Sequence, residues 1–251
     1  MTVAYDGRGF SGFAANEGVA TVGGTLATTL GRILRTGAPV AVTCAGRTDA
    51  GVHGWGQVVS FDAPVAALER RGLDGLVRSC NAMMAPAIAV RDARFVPSDF
   101  DARFSAVWRR YRYTVLNSAT PSPFEAATAW HLPHHLDIDE MNLGCDPFIG
   151  EHDFSSFCRR PRTDAPVSMT RRVFDAGWTD LGDDRLRFEI RANAFCHQMV
   201  RSIVGLLVDV GLGKRRAGEI AAVLRARDRS AAGQIAPPHG LCLWEVGYPS
   251  G

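Results

Sequence analysis

The chain has 251 residues, enough for one large domain or two of ordinary size. Hydrophobic residues make up 46% of it and charged residues 22%, a composition typical of a soluble globular protein with a sizeable core and not of a low-complexity or coiled-coil chain. The net charge of +2 is too small to indicate nucleic-acid binding by itself. Since Lys214 is the only lysine among 28 basic residues, the arginine content reflects codon usage, and only clusters of arginine are informative.

The first half of the chain alternates strand and helix patterns. The predicted elements are a strand over residues 1–5, a helix over 25–36, strands over 40–44 and 57–61, a helix over 65–80 and a strand over 87–95. Leu26 and Leu30 lie at helical spacing in the first helix, which we expect to stop at Gly37 because glycine readily terminates helices.

The second half repeats this order. The predicted elements are a strand over residues 106–117, a helix over 138–148 with Asp137 as its N-cap, strands over 173–178 and 186–191, helices over 195–210 and 217–226, and a strand over 241–246. Each half therefore has the β-α-β-β-α-β order of a ferredoxin-like unit. We expect an α/β fold with domains over residues 1–98 and 99–251, whose sheets join edge to edge and so cover exposed strand edges.

Cysteine, histidine and hydropathy patterns predict a cytoplasmic protein without a metal site. The six cysteines form no C-x-x-C pair and no zinc-like spacing with histidine, so we expect reduced thiols. His131, His134 and His135 lie close together but lack supporting ligands, and we interpret them as solvated. The longest apolar run contains Arg201 and Asp209 and is too short and too charged to span a membrane.

A glycine-rich loop between two predicted strands carries the first candidate site. It holds one carboxylate, Asp49, and one guanidinium two residues away, Arg47. Asp49 is either a turn aspartate bonded to its own backbone or a catalytic carboxylate whose ionised form is held by an arginine. The loop composition alone leaves both interpretations open.

The first strand of the second half carries the next candidate. Alternation places Arg109, Tyr111 and Tyr113 on one face, and Arg110 and Arg112 on the other. Basic and aromatic side chains on a sheet face can bind single-stranded nucleic acid by stacking and charge. An ordinary strand with one solvated face explains the same pattern.

The start of the strongest predicted helix carries a third candidate. Met199 and Ile203 belong to its apolar stripe, and Arg201 lies beside that stripe. An arginine in this position is rarely buried without a carboxylate partner. His197 suggests a general base, because histidine titrates near neutral pH.

Four segments match the sequence motifs of one known family. They are the run Ala45-Gly46-Arg47-Thr48-Asp49-Ala50-Gly51-Val52-His53-Gly54, the run Phe100-Asp101-Ala102-Arg103-Phe104-Ser105, the pattern Arg-Arg-Tyr-Arg-Tyr that ends at Tyr113, and the pattern Phe-x-x-x-Met-Val-Arg that ends at Arg201. Together they resemble the TruA family of tRNA pseudouridine synthases, and the resemblance extends over nearly the whole chain. It departs from the family at Phe13 and Ala14, which usually are tryptophan and glutamine, and at Gly23, which usually is glutamine.

The resemblance implies roles for single residues. Asp49 would be the catalytic nucleophile, and Arg201 would pair with it and keep its carboxylate ionised. Tyr111 would lie against the target base, and Arg103 would help to displace that base, with a surface salt bridge as the alternative for Arg103. Leu241 would place an apolar side chain beside the carboxylate, although any core leucine would look the same.

Two further features have weaker implications. The family does not use histidine as a base, so we interpret His197 as structural or RNA-contacting. Five arginines cluster around a proline-containing segment and are either solvated charge or a phosphate-contacting lip for the tRNA stem; they are Arg159, Arg160, Arg162, Arg171 and Arg172.

The activity implied by the resemblance is isomerisation of uridine to pseudouridine at positions 38, 39 and 40 of the tRNA anticodon stem-loop, by a homodimer. The implied architecture is a central mixed, mainly antiparallel sheet flanked by helices, with a central cleft. No cofactor or metal is implied, since the freed base only has to rotate in a closed pocket. Whether Asp49 attacks C1′ or removes a sugar proton stays open. The alternatives are a non-catalytic RNA-binding module and a nucleoside hydrolase.

Overall fold

The computed structural model describes residues 1–69, 71–160 and 167–249. The strands and helices of the first half, in chain order, are β1 Thr2–Tyr5, α1 Val22–Leu34, β2 Thr43–Cys44, β3 His53–Ser60, α2 Val65–Glu69, α3 Gly72–Met84 and β4 Ile88–Asp92. Those of the second half are β5 Trp108–Leu116, β6 Trp130–His131, α4 Ile138–Leu143, β7 Gly150–Asp153, β8 Thr170–Asp180, β9 Arg185–Ala192, α5 Met199–Gly211, α6 Ile220–Ala226 and β10 Leu241–Gly247.

The chain is divided into two compact units. One contains Met1–Val107 together with Leu243–Gly251, and the other contains Trp108–Cys242. The return of the C-terminal segment to the first unit has a local cause, because the amide of Val107 donates to the carbonyl of Gly247 at 2.9 Å and the hydroxyl of Tyr248 donates to the carbonyl of Ala102 at 2.7 Å. The division into halves over residues 1–98 and 99–251 stays a prediction about how the fold is built.

The first unit contains a sheet in the order β4-β1-β3-β10, with β2 also paired to β3. Strand β1 is antiparallel to both of its neighbours, with Val3 opposite Gln57 in β3 and opposite Val90 in β4. Strand β2 is shorter than the predicted strand over residues 40–44, and β3 begins earlier than predicted, at His53. The buried side chains of β1, β3 and β4 pack with α1 and α3 into one core.

The helices of the first unit differ from the prediction at their ends. Helix α1 begins three residues early, because the side chain of Thr21 caps it by accepting from the amide of Gly24 at 3.2 Å. It stops before Gly37, at Arg35, which adopts a left-handed conformation with φ of 57°. The helix predicted over residues 65–80 is two helices, α2 and α3, and α3 begins at Gly72, whose φ is +69°.

The second unit contains an antiparallel run β5-β9-β8-β7, and β6 lies parallel to β5, so this sheet is mixed and mainly antiparallel. Strand β5 alternates as predicted, with Arg109, Tyr111, Tyr113 and Val115 buried. The α/β class with mixed sheet and flanking helices is confirmed. The short strands β6 and β7 are additions to the predicted order.

Helix α5 is the central helix of the second unit. It begins four residues later than predicted, after Gln198, which has a left-handed φ of 68°. Nearly all of its residues are buried, which agrees with its strong apolar character. Helix α4 is shorter than predicted, and Asp137 caps it as predicted by accepting from the amides of Asp139 and Glu140 at 3.1 and 3.0 Å.

Within the described residues, none of the helices has both the length and the apolar character needed to cross a membrane.

Replacing Gly205 with alanine tests the packing of α5. A Cβ atom there would overlap the carbonyl of Gln234, and a backbone neighbour cannot move aside easily. We expect Gly205→Ala to lower the free energy of unfolding by about 1–3 kcal/mol, although alanine favours helices more than glycine does. The control is Gly218→Ala, where a Cβ meets nothing within 4 Å. Equal unfolding midpoints for the two variants in urea would contradict the close approach.

Candidate active site

The loop that carries Asp49 is held by a buried glutamine. Gln57, in β3, is fully buried. Its side-chain amide donates to the carbonyl of Gly46 at 2.6 Å and accepts from the amide of the same residue at 3.3 Å. This pair of bonds satisfies both backbone groups of Gly46 away from water and fixes where the loop leaves β2.

A second group of contacts holds the middle of the loop. The hydroxyls of Tyr5 and Thr48 are 2.8 Å apart, and the side-chain nitrogen of Gln57 lies 3.4 Å from the Tyr5 hydroxyl. The amide of Phe13 donates to the carbonyl of Thr48 at 3.1 Å. The residue directly before Asp49 is therefore fixed through both its side chain and its backbone.

Asp49 itself is half-buried at the turn of this loop. Its carbonyl accepts a hydrogen bond from the amide of Val52 at 3.1 Å, and Gly51 between them has a φ of +77°, which favours glycine. The turn thus accounts for the backbone of Asp49, while the carboxylate extends from a fixed point.

Two arginines lie near the start of the loop in the first unit. Burial raises the pKa of the Cys44 thiol, and the positive charges of Arg47 and Arg103 partly oppose this increase. Both guanidinium groups are therefore close to the end of β2, and both residues are exposed. The amide of Arg103 donates to the carboxylate of Asp101 at 2.7 Å, and its guanidinium lies 5.2 Å from the ring centre of Phe104. Arg47, Arg103 and the Asp49 loop thus occupy one unit.

The second unit positions Tyr111 on the buried face of β5. The side chain is 7% exposed and packs edge-on against the ring of Phe195, with 4.9 Å between the ring centres. Phe195 precedes α5, and nothing in the residue pattern alone singled it out as the neighbour of Tyr111. The aromatic pair therefore joins β5 to the loop that leads into α5.

Arg201, in the first turn of α5, is anchored by a backbone carbonyl. Its Nε donates to the carbonyl of Ala236 at 2.7 Å, and the amide of Ala236 donates back to the carbonyl of Arg201 at 3.0 Å. Burial raises the pKa of the Tyr113 hydroxyl, and the charge of Arg201 acts in the opposite direction, so the guanidinium is also near Tyr113. The orientation of Arg201 therefore depends on the segment before β10.

Leu241 lies at the start of β10 and is 5% exposed. The preceding residue, Gly240, packs on the ring of Tyr113, where a Cβ would come within 2.5 Å of the ring carbon Cζ. The Tyr113 hydroxyl donates to the carbonyl of Pro237 at 2.9 Å. Glycine is thus required before Leu241, and the two residues belong to the same packed segment as the anchor of Arg201.

His197 is exposed in the loop between β9 and α5. Its carbonyl accepts from the amide of Arg159 at 3.0 Å. The neighbouring Cys196 forms a disulfide with Cys158, with 5.7 Å between the Cα atoms. The prediction that all six thiols are reduced is therefore wrong for these two residues, because spacing along the chain does not reveal closeness in space.

The predicted arginine lip is only partly available for phosphate. Arg159 and Arg160 are exposed, and so is Arg172. The guanidinium of Arg171 instead donates to the carbonyls of Ser168 and Thr170 at 2.9 and 2.6 Å, and partial burial lowers its pKa. Arg162 lies outside the described residues.

The predicted solvation of three histidines holds for His134 and His135, which are exposed. His131 is half-buried and forms a 2.8 Å hydrogen bond with the carbonyl of Ser118. The described part of the chain contains no group of three or more histidine, cysteine, aspartate or glutamate side chains arranged to hold a metal ion.

Comparison with known proteins identifies the family. A family model described as tRNA pseudouridine synthase matches residues 145–249. The tRNA pseudouridine synthase A of Leifsonia xyli is 41% identical over 265 residues, which cover 99% of this chain and 91% of that protein. The chain belongs to the tRNA pseudouridine synthase A family. The Bacillus subtilis member is 38% identical over 247 residues, which cover 98% of this chain and 97% of that protein.

Similarity to solved structures is looser. A chain in the crystal structure of a Cbf5-Nop10-Gar1 complex is 14% identical, with a TM-score of 0.35, over 84% of this chain and 45% of that one. This likeness supports no inference about the site.

Replacing Gln57 with leucine tests the clamp on the loop. Leucine has a similar size but no amide, so the backbone amide and carbonyl of Gly46 lose the partner that Gln57 supplies. We expect the free energy of unfolding to fall by about 1–3 kcal/mol. Gln234→Ala is the control, since this exposed amide donates to Asp209 at 3.4 Å and its loss should change stability by less than about 0.5 kcal/mol. Equal losses in denaturant titrations would contradict the clamp.

Proposed function

We propose that the protein isomerises uridine to pseudouridine at positions 38, 39 and 40 of the tRNA anticodon stem-loop, with Asp49 as the catalytic carboxylate. As a member of its family it is a tRNA-modifying isomerase. The observation that carries the proposal for the site is the Asp49 loop, a motif of the resembled family whose backbone is fixed by Gln57, Tyr5 and Thr48. A fixed backbone lets a half-buried carboxylate be presented in one orientation.

The reaction exchanges a carbon–nitrogen glycosidic bond for a carbon–carbon one within a single nucleotide and moves one proton. The glycosidic bond from N1 to C1′ breaks, the uracil rotates, a bond forms between C5 and C1′, and the C5 proton is lost while N1 gains one. Asp49 either attacks C1′ or removes a proton from the sugar. The rearrangement is redox-neutral and transfers no group to a second molecule, so the proposal includes no cofactor.

The target uridine has to leave its stack before Asp49 can reach the sugar. Arg103, exposed next to the Asp49 loop, suits a role in displacing the base. The ring of Tyr111, backed by Phe195, suits contact with the extruded uracil. In this proposal His197 contacts RNA or supports its loop, without acting as a base.

Arg201 is proposed as the partner that keeps Asp49 ionised. The support lies in its fixed orientation, since Nε is bound to the carbonyl of Ala236 while the buried Tyr113 lies nearby. Leu241 is proposed as the apolar neighbour of the carboxylate, and Arg47 as a second cation near the loop. A cation fixed by the backbone stabilises a carboxylate more than a mobile one does.

Contacts with the rest of the tRNA are proposed for the exposed arginines. Arg159, Arg160 and Arg172 could bind phosphate groups of the stem without reading its sequence. A homodimer that binds one tRNA across both subunits, in the cytoplasm, completes the proposal by family resemblance.

The activity is tested with tRNA that carries tritium at uracil C5. Release of tritium with the base retained in the RNA is the expected result, since C5 loses its hydrogen when it bonds to C1′. Release of free uracil would instead indicate a nucleoside hydrolase. Binding without any tritium release would indicate a non-catalytic RNA-binding module.

Replacing Asp49 with asparagine tests its role. The amide keeps the size of the side chain but removes the charge, so we expect tritium release to fall by at least about 10³-fold, while the Kd for tRNA changes by less than about threefold. Asp62→Asn makes the same chemical change at an exposed position and should keep full activity. Turnover by the Asp49 variant at the wild-type rate would remove Asp49 from the mechanism.

Replacing Arg201 with alanine and with lysine tests the ion pair. We expect kcat to fall by about 10²–10³-fold for Arg201→Ala, since the charge and the bond to Ala236 are both lost. Lysine restores charge but not the geometry of the guanidinium, so part of the loss should remain. In the double variant with Asp49→Asn, the second change should have little further effect, and additive losses would separate the two residues.

A further inference from the structure

A disulfide joins a rigid segment of the second unit to the loop before α5. Cys158 and Cys196 are 38 residues apart in sequence, and their Cα atoms are 5.7 Å apart. Cys158 is 1% exposed, directly after a short helical turn, Ser155–Phe157. Cys196 is half-buried in the loop over residues 193–198. The disulfide therefore links a buried residue to a half-buried one in a loop.

The segment around Cys158 is rigid. Phe157 is completely buried and packs edge-on against Phe148, with 5.2 Å between the ring centres. The hydroxyl of Ser156 donates to the carbonyl of Val223 at 2.7 Å. Cys158 is thus a fixed anchor in the core of the unit.

The segment around Cys196 carries residues of the candidate site. Phe195, one residue before it, packs on Tyr111. The carbonyl of His197, one residue after it, accepts from the amide of Arg159. Gln198 then turns the chain into α5 through a left-handed conformation, three residues before Arg201. The bond to the anchor therefore restrains the loop that packs on Tyr111 and leads into the helix turn of Arg201.

We propose that Cys158 and Cys196 form a reversible thiol–disulfide site that responds to low-molecular-weight thiols and disulfides and controls the order of the loop over residues 193–198. In the oxidised form described here, the loop is tethered with Phe195 against Tyr111. In the reduced form, only noncovalent contacts hold the loop. This part of the inference rests on the proposed function, because the loop matters for catalysis only if Tyr111 receives the base.

The chemistry balances with a thiol such as glutathione as the reductant. Its thiolate attacks the sulfur of Cys196, which is the less buried of the two residues, the bond between the two protein sulfurs breaks, and Cys158 leaves as a thiolate and takes up a proton. A second glutathione attacks the mixed disulfide, which releases oxidised glutathione and the Cys196 thiol. Two thiols thus supply two electrons, and oxidised glutathione accepts them in the reverse reaction.

The other cysteines are poorly suited to this exchange. Burial raises the pKa of Cys80 to about 11 and that of Cys145 to about 12, and it also raises the pKa of Cys44. The thiolate is the form that reacts, so such groups exchange slowly near neutral pH. The proposal therefore expects a selective change at one pair.

The first experiment maps the pair directly. The full chain is equilibrated with mixtures of reduced and oxidised glutathione, the remaining thiols are alkylated, and peptides are measured by mass spectrometry. We expect Cys158 and Cys196 to change together between a linked and an alkylated form across the series, with the other cysteines unaffected. Two independently alkylated residues at every ratio, or linkage to a different cysteine, would overturn the proposal.

The second experiment measures the loop. A tethered loop needs less ordering when tRNA binds, so reduction should raise Kd and KM for tRNA by about 2- to 10-fold with kcat nearly unchanged. Cys196→Ser, at the half-buried position, and Cys158→Ser should each give the reduced values under both conditions. Reoxidation should restore the wild-type values, which a loss of folded protein would not do.

The two experiments separate this inference from the proposed function. Absence of pseudouridine in either redox state would overturn the proposed activity, while the peptide map and the Kd for tRNA would still test the pair. A wild-type Kd that is identical in the oxidised and reduced forms would overturn control of the loop.

Discussion

The side-chain amide of Gln57 is the contact on which the candidate site of the first unit depends. Glycine-rich loops can approach a ligand closely, but ordering them costs more conformational entropy than ordering other segments. A buried amide that bonds both backbone groups of Gly46 removes this freedom at the loop entrance, and the hydroxyl pair of Tyr5 and Thr48 removes it next to Asp49. The loop keeps its glycines and is nevertheless held in one conformation.

In the second unit, backbone carbonyls hold the candidate site residues, whereas side chains do so in the first unit. The segment that leads into β10 runs so close to α5 and β5 that Gly205 and Gly240 have no room for a Cβ atom. Because of this approach, the carbonyl of Ala236 reaches Arg201 and that of Pro237 reaches Tyr113. The guanidinium of Arg201 and the phenol of Tyr113 are thus oriented by backbone carbonyls. Replacing the side chains of Ala236 or Pro237 would not remove these carbonyls.

Periodicity predicted β5 well, because buried and partly exposed residues alternate along it. It also located α5, which was predicted from residue 195 and begins at Met199, because this helix is buried along nearly its whole length. It failed where single residues decide, as at Gly72, where α3 begins with a positive φ inside one predicted helix. It also missed β6 and β7, which have two and four residues and are too short to show a pattern.

The site shows the same division. Motifs suggested candidate chemical residues, but they gave no indication of the groups that support them. A backbone carbonyl such as that of Ala236 leaves no mark in the residue types, and the Cys158–Cys196 bond joins positions whose spacing predicts nothing.

The last residues of the chain belong to the first unit, and this has a consequence for synthesis on the ribosome. Residues 108–242 leave the exit tunnel before Leu243, so the second unit has all of its chain while the first still lacks a strand. Although it is translated first, the first unit is completed last.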